Sequence, residues 1–213
     1  MVGRVSTRLG LVDAPGPRKV HAQSVPRLGG LAVVLAASLA LWLVSRFGPT
    51  PFDSSVWATM RSFFIASSMI FLVGLADDVR GLGAGPKLLI EFLAAGVMMS
   101  SGLLIEKITL LGWTLPLGWV AWPVTAAWLV GVTNAFNLID GVDGLAAGIT
   151  AMAGTACGAI LVVRGHAPEA MILAAFVGAA IGFLFFNFAP ASIFLGDSGS
   201  LLAGFLLAAT AIT

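Results

Sequence analysis

The segment from residue 134 to residue 148 reads Asn134-Ala-Phe-Asn-Leu-Ile-Asp-Gly-Val-Asp-Gly-Leu-Ala-Ala-Gly148 and lies between two long apolar runs. Its two amides and two carboxylates, Asn134, Asn137, Asp140 and Asp143, follow one another at intervals of three residues. In a helical turn such residues project from neighbouring positions on one side. The simpler interpretation is a solvated loop in which an Asp side chain caps the next helix. The other polar segments of the chain determine whether this segment is such a loop or part of a reactive site.

The composition of the chain is that of an integral membrane protein. Of its 213 residues, 59% are hydrophobic and only 10% are charged, whereas a typical soluble domain has about 25% charged residues. The mean hydropathy is +1.02. The formal net charge is only +1, so no overall field draws the chain to nucleic acid. Cys157 is the only cysteine, which leaves no disulfide framework or zinc site.

Apolar runs of about 20 residues, the length that crosses about 30 Å of hydrocarbon, decide the predicted fold. We predict an all-α polytopic membrane protein with about seven transmembrane helices, forming one membrane-embedded unit over residues 1–213. Residues 1–28 are predicted to be a basic cytoplasmic loop, and residues 29–213 the helices and their connections. Pro123 predicts a kink in the short fourth span. The predicted spans are about 29–48, 57–76, 86–105, 119–133, 144–163, 168–188 and 199–213.

Counting membrane crossings puts segments 1–28, 77–85, 134–143 and 189–198 on one side. Most Lys and Arg residues fall on that side, so the positive-inside rule makes it the cytoplasmic side. The predicted location is the inner (plasma) membrane. Acids contribute little to topology, yet most of them lie on the cytoplasmic side too, and a shared cytoplasmic site explains this clustering. The clustered acids are Asp13, Asp77, Asp78, Asp140, Asp143 and Asp197.

Asp77 and Asp78 close the second predicted span. Adjacent carboxylates repel each other unless a cation holds them, and such pairs bind hard divalent metals that also carry phosphate. They are therefore candidates for Mg²⁺ handling or proton abstraction. Helix capping explains them poorly, because the dipole at a helix C-terminus disfavours acids. Lys87, at the start of the third span, either serves this site or only anchors a helix end at the interface.

The loop before the seventh span places Asp197 between two glycines. Such a turn can present backbone N–H groups to phosphate while the carboxylate takes a metal. Alternatively, Asp197 or Ser198 only caps the last span. His21 has no paired Cys or His and is a poor metal ligand. Phosphate contact is favoured for the bases around His21, which are Arg18, Lys19 and Arg27.

The segment 106–118 is predicted to form a small hairpin on the outer side. It reads Glu106-Lys-Ile-Thr-Leu-Leu-Gly-Trp-Thr-Leu-Pro-Leu-Gly118. Trp113, Trp119 and Trp122 lie in it or next to it, and tryptophan is enriched where a protein meets the membrane–water interface.

The predicted cytoplasmic loops together bring acids, amides, bases and glycines to one face. This combination suits the binding of a metal–diphosphate and the transfer of a phosphoryl group, in which catalysis is mostly positioning and charge neutralisation. The neighbouring spans would admit a lipid.

Four stretches, spread over nearly the whole chain, carry a family resemblance. They are Asp13-Ala-Pro-Gly-Pro-Arg-Lys-Val-His21 with Pro26-Arg-Leu-Gly-Gly30, Gly74-Leu-Ala-Asp-Asp78, Asn134-Ala-Phe-Asn-Leu-Ile-Asp-Gly-Val-Asp-Gly144, and Phe194-Leu-Gly-Asp-Ser-Gly-Ser200. In this combination and order the chain resembles the polyprenyl-phosphate N-acetylhexosamine-1-phosphate transferases of glycosyltransferase family 4, which include the phospho-N-acetylmuramoyl-pentapeptide translocase.

The resemblance implies transfer of a sugar 1-phosphate from a UDP-sugar to polyprenyl (undecaprenyl) phosphate, with release of UMP, in cell-wall or surface-polysaccharide biosynthesis. It implies Mg²⁺, or Mn²⁺ in its place, with Asp197 and Asn137 as metal ligands. It also implies that Asp77 or Asp78 deprotonates the lipid phosphate. The remaining residues it assigns are Asp140 beside the diphosphate as a third catalytic residue, Asp143 and Asn187 near the uridine, and Lys87, His21, Arg18 and Lys19 in substrate binding.

The chain departs from the family pattern at three places. Family members usually have a span before the Asp13 stretch and further spans with a His-containing loop after Asp197. We therefore expect a truncated core of a larger bundle. Glu91 stands where many similar relatives carry Gln.

The predicted partners are a UDP-sugar, polyprenyl phosphate, membrane lipid and a second copy of the chain in a homodimer. One alternative is an inactive or partner-dependent fragment of such an enzyme. Another is an ion-coupled transporter, although transport acids usually lie near the middle of the membrane and these acids lie at span ends.

Overall fold

A computed structural model describes residue 6 and residues 12–13, 25–48 and 54–213. In these ranges the fold is all-α with two short antiparallel strand pairs, which confirms the predicted class. Seven helices of 16 to 27 residues make up the described fold. They are α1 (Gly29–Phe47), α2 (Ser54–Arg80), α3 (Ala84–Ser100), α4 (Ala121–Ile139), α5 (Leu145–Arg164), α6 (Ala167–Asn187) and α7 (Asp197–Ile212).

Each helix coincides with a predicted span, but two helices extend further than the apolar runs. The last turn of α2 includes Asp77 and Asp78, which lie just beyond the predicted span 57–76. Likewise α4 includes Asn134 and Asn137. Pro123 lies in the first turn of α4, where proline removes no helical hydrogen bond.

Four of the helices are long and apolar enough to cross a membrane, and the chain is an integral membrane protein. The predicted count of seven spans is not confirmed. Helices α3 and α7 have 17 and 16 residues, fewer than the roughly 20 that cross the hydrocarbon core, and α4 carries several polar side chains. The four candidate spans are Gly29–Phe47, Met60–Arg80, Leu145–Arg164 and Ala167–Asn187.

Two antiparallel strand pairs accompany the helices. The first joins β1 (Val12–Asp13) to β2 (Val25–Pro26). The second joins β3 (Lys107–Leu110) to β4 (Trp113–Pro116), which confirms the hairpin predicted over 106–118. Most of the predicted basic loop 1–28 lies outside the described residues.

Helix α7 is the centre of the bundle. Every residue from Ser198 to Thr210 is buried, and the helix packs against α1, α2, α4 and α5. A helix that is apolar on all sides is expected in such a central position.

Glycines let the neighbouring helices approach the backbone of α7. A Cβ on Gly30 of α1 would lie 2.3 Å from the amide nitrogen of Gly199, and one on Gly74 of α2 would lie 2.6 Å from the carbonyl oxygen of Asp197. Small residues commonly allow this kind of close contact between membrane helices. The approach of α2 brings its last turn to the start of α7.

We predict that Gly204→Ala destabilises the protein. A Cβ at residue 204 of α7 would lie 2.7 Å from the Cβ of Phe136 on α4, and overpacking of this kind costs about 1–3 kcal/mol. Thermal unfolding in detergent should show a lower midpoint than for the unchanged protein. The control is Gly131→Ala on α4, which meets no atom within 4 Å; equal midpoints for the two variants would contradict the packing described.

Candidate active site

The start of α7 is held by a carboxylate from another helix. Asp78 accepts the N–H groups of Asp197 and Ser198 at 2.8 and 3.0 Å, and the hydroxyl of Ser198 donates to it at 2.6 Å. Gly196, at the cap position of α7, offers no capping side chain. Asp78 therefore satisfies N–H groups that every helix start leaves unpaired, and neither Asp197 nor Ser198 acts as the side-chain cap of this helix.

Lys87 joins two of the predicted site carboxylates. Its Nζ lies 2.8 Å from Oδ2 of Asp77 and 2.9 Å from Oδ2 of Asp197. Asp77 also accepts the backbone N–H of Leu82. The Lys87 side chain is only 18% exposed, so it does more than anchor a helix end. Three helices, α2, α3 and α7, thus meet at one ammonium group.

The end of α4 contributes two amides at different depths. Asn137 donates to the hydroxyl of Ser200 at 3.1 Å and lies beside the carboxylate of Asp197, whose charged form it stabilises. Asn134 donates to Oε2 of Glu91 on α3 and to the carbonyl oxygen of Val130. Asp77, Lys87 and Asp197 are called the cluster below. Only Asn137 reaches the cluster, so the structure separates Asn134 from Asn137, which the sequence groups together.

The bond between Glu91 and Asn134 lies one helical turn behind the cluster. Glu91 is 1% exposed and follows Lys87 on α3 by four residues, while Asn134 precedes Asn137 on α4 by three. Residues at these spacings share a helix face. Lys87 and Asn137 both adjoin Asp197. The bond between Glu91 and Asn134 therefore helps to fix the distance between α3 and α4 one turn below these two residues.

Asp140 follows the last residue of α4 and faces the loop before α7, where its carboxyl lies near the backbone N–H of Gly196. Burial raises the pKa of its carboxyl from 3.8 to about 8, and the charges of Asp197 and Asp78 add to this rise. A carboxyl with this pKa is mostly protonated at pH 7 when no cation is bound, since burial disfavours the charged form.

Asp143 and Asn187 connect two loops. Asp143 accepts the N–H of Ala191 at 2.9 Å. Asn187 is 3% exposed, donates to the carbonyl oxygen of Ile193 at 3.0 Å and accepts the N–H of Gly144 at 3.2 Å. These bonds hold the loop after α4 against the loop before α7, so both residues shape the mouth of the site.

The N-terminal segment reaches the site through its last residues. The N–H of Phe194 donates to the carbonyl oxygen of Pro26 at 2.8 Å, and a Cβ on Gly196 would lie 2.4 Å from the carbonyl oxygen of Arg27. With a φ of +76°, Gly196 also adopts a conformation that other residues avoid. The three predicted substrate-binding residues of this segment, Arg18, Lys19 and His21, lie outside the described residues.

The donor set of the cluster fits a hard divalent cation that is shared with a phosphate. In the described part of the chain, no group of three acidic, His or Cys side chains is arranged to hold a metal. However, the carboxylates of Asp77 and Asp197 converge on one cationic group, and the amide of Asn137 adjoins Asp197. Mg²⁺ commonly uses one or two protein carboxylates and completes its shell with water and substrate phosphate.

Several supporting residues escape prediction from sequence alone. Ser198 and Ser200 bond to Asp78 and Asn137, but a serine in a loop motif does not reveal its acceptor. Gly74 carries a usable signal, because it stands one turn before the adjacent carboxylates and marks a close backbone contact.

Comparison with known proteins yields a family match over most of the chain. Residues 60–213 match the model of Glycosyl transferase family 4. A probable undecaprenyl-phosphate N-acetylglucosaminyl 1-phosphate transferase of Bacillus subtilis (strain 168) is 37% identical over 208 residues, covering 96% of this chain and 56% of the relative. A decaprenyl-phosphate N-acetylglucosaminephosphotransferase of Mycobacterium tuberculosis (strain ATCC 25618 / H37Rv) is 37% identical over 231 residues, covering 100% and 55%.

A second branch of relatives is also similar. A phospho-N-acetylmuramoyl-pentapeptide-transferase of Moorella thermoacetica (strain ATCC 39073 / JCM 9320) is 33% identical over 209 residues, covering 91% of this chain and 63% of the relative. The chain spans about half the length of the first two relatives. The match to the family model and these relatives confirm the resemblance carried by the sequence motifs: the chain belongs to glycosyl transferase family 4.

Proposed function

We propose that this chain forms the core of a membrane enzyme that transfers a sugar 1-phosphate from a UDP-sugar to polyprenyl phosphate. N-acetylhexosamine is the proposed sugar, in keeping with the names of the relatives. The observation that carries the proposal is the meeting of Asp77, Lys87 and Asp197, with Asn137 and Asp140 beside them, at one end of the bundle. Such a cluster suits a diphosphate substrate, since phosphoryl transfer depends on positioning and charge neutralisation.

In the proposed reaction, an oxygen of the lipid phosphate attacks the phosphorus that bears the sugar. A new P–O bond forms, and the bond from that phosphorus to the oxygen of the uridine phosphate breaks. UMP leaves with that oxygen and its electron pair, and the lipid keeps a diphosphate sugar. Negative charge builds up on the phosphate oxygens, so a fixed cation beside them lowers the barrier.

Asp77 is the proposed acceptor of the proton of the lipid phosphate. Both oxygens of Asp78 already accept hydrogen bonds from α7, so Asp78 is the proposed positioning residue of the pair. Lys87 is the proposed phosphate ligand, because its ammonium group is the cation that lies beside both Asp77 and Asp197 in the described part of the site.

Asp197 and Asn137 are the proposed ligands of Mg²⁺ or Mn²⁺, which when bound would neutralise charge on the diphosphate. Asp143 and Asn187 would shape the nucleotide side of the site through the loops that they join. Arg18, Lys19 and His21 complete the proposed set as phosphate-binding residues.

The proposed location is the inner membrane, with all seven helices crossing it and the site facing the cytoplasm. The positive-inside rule supports this orientation, because most of the basic residues belong to segments on the side of the site. A homodimer remains a prediction. An ion-coupled transporter has less support, because the relatives are named as transferases and the acids cluster at helix ends.

We predict that Asp197→Asn and Asp77→Asn each reduce UMP release by about 100-fold or more, the range for losing a general base or a group that stabilises charge in a transition state. The assay uses membranes with Mg²⁺, polyprenyl phosphate and a panel of UDP-sugars, UDP-N-acetylglucosamine first. Both variants should still insert into the membrane. Glu106→Gln, at the opposite end of the bundle, is the control and should keep its activity. Turnover near that of the unchanged protein in both site variants would refute the assigned roles.

We predict different effects on stability for the two adjacent acids. Asp78→Asn places an NH₂ group against donors at the start of α7, and a buried unsatisfied donor costs about 1–3 kcal/mol. Asp77→Asn should cost less, because its amide oxygen can still accept from Lys87 or Leu82. Thermal midpoints in detergent test the order, and a larger loss for Asp77→Asn would exclude the positioning role of Asp78.

We predict that Asp140 makes the metal-free protein less stable as pH rises. Its pKa is 3.8 when unfolded and about 8 when folded, so its stabilising contribution is complete below pH 3.8 and declines as pH rises toward 8. Above pH 8 none of it remains. Unfolding midpoints measured with a chelator from pH 5.5 to pH 9 should fall more steeply for the unchanged protein than for Asp140→Asn. Parallel curves would show that this carboxyl ionises normally.

A further inference from the structure

The hairpin of β3 and β4 has one apolar face and one polar face. In its register Ile108 pairs with Leu115 and Leu110 with Trp113. Residues that pair directly, and residues two apart on a strand, lie on the same face, so these four side chains form one apolar face. The opposite face carries Lys107, Thr109, Thr114 and Pro116, and the two threonine hydroxyls lie 3.1 Å apart in a hydrogen bond.

The apolar face is uncovered in the described part of the chain. Its four side chains are between 47% and 83% exposed, and Leu111 at the turn is 92% exposed. An isolated two-stranded hairpin is marginally stable in water and needs a further surface against its apolar side. We therefore expect an apolar partner to cover these four side chains and stabilise the hairpin.

The hairpin is attached at the end of the bundle that lies away from the candidate active site. It follows α3, in which Ser100 lies 13 residues after Lys87, a distance of about 20 Å along a helix. The N–H of Ile105 donates to the hydroxyl of Thr125 in α4 at 2.9 Å, and the N–H of Leu117 donates to the carbonyl oxygen of Glu106 at 2.8 Å. The base of the hairpin is thus held against the first turns of α4.

The helices on either side of the hairpin also carry exposed apolar side chains. Trp119, in the 3₁₀ turn just before α4, and Trp122, in the first turn of α4, are 82% and 49% exposed. Further along, Phe92 and Leu93 of α3 and Trp128 of α4 are also exposed. On an integral membrane protein, such a surface on the helices faces lipid, and tryptophans collect at its border.

We propose that the apolar face of this hairpin lies in the membrane interface on the side opposite the candidate active site, with lipid as its partner. The polar face, with Lys107 and the threonine pair, then faces water or headgroups. A second copy of the chain fits this face less well. Four side chains of this size offer on the order of 500 Å², less than the roughly 800 Å² per partner of a stable interface.

This placement fixes the depth of one end of α4. Anchors at the interface, rather than hydrophobic length alone, set the depth and tilt of a membrane helix. Since α4 carries Asn137 at its other end, the hairpin constrains the site from across the membrane.

Spin labels on the two faces test the proposal without any measurement of turnover. In a Cys157→Ala background, single cysteines are introduced by Leu110→Cys and Leu115→Cys on the apolar face and by Thr109→Cys and Thr114→Cys on the polar face. Met152→Cys, at a site on α5 that is 71% exposed, serves as the lipid-facing reference. The labelled proteins are reconstituted in vesicles of phosphatidylcholine and phosphatidylglycerol and probed with oxygen and with a water-soluble nickel chelate.

For labels on the apolar face, oxygen should speed the relaxation of the spin label strongly and the nickel chelate only weakly, as at residue 152. For labels on the polar face, the nickel chelate should have the stronger effect. Strong nickel access on both faces would place the hairpin in water and overturn the proposal. Protection of the apolar face from both reagents would also overturn it, because a protein surface would then cover the face.

Discussion

Backbone N–H groups at the start of a buried helix need acceptors that water cannot supply, and this need organises the site. The start of α7 lies inside the bundle, and Asp78 on α2 meets it with both carboxylate oxygens. The contact demands that α2 touch the α7 backbone, which the glycine at residue 74 permits. Asp77, the neighbouring residue on α2, then points in another direction and reaches Lys87. The two adjacent acids thus have different roles: Asp78 supports the start of α7, and Asp77 pairs with the charge of Lys87.

The second organising feature is the sharing of charge at Lys87. Two carboxylates approach one ammonium group, which lowers their mutual repulsion in a partly buried position. Around them the protein uses neutral groups, namely the amide of Asn137 and the Asp140 carboxyl, which is mostly protonated at neutral pH. The deeper bond between Glu91 and Asn134 supports this arrangement from behind. The result is a cluster that concentrates polar groups at one end of an otherwise apolar bundle.

Sequence alone predicts much of this architecture, because apolar runs identify helices. Successive loops lie on alternate sides of the membrane, and this alternation brings the loops with the acids to one side. The sequence places Asp197, Asn137 and Lys87 at a common end, and in the structure all three meet. It misplaces helix ends, since hydropathy follows the hydrocarbon region whereas a helix continues until its backbone turns away, as in the last turn of α2. The role of Asp78 is also hidden, because its partners lie 119 and 120 residues further along the chain. Spacing within one motif carries no information about such distant acceptors.

The capping of α7 from α2 has a consequence for the order in which the protein takes shape. A helix that is capped by its own preceding residue can form its first turn locally. Here the acceptor is made 119 residues earlier in synthesis than the first amide that it binds. The first turn of α7, which carries Asp197, can therefore be completed only when α2 is already in place. The end of the bundle that holds the candidate active site thus forms on a template that α2 provides.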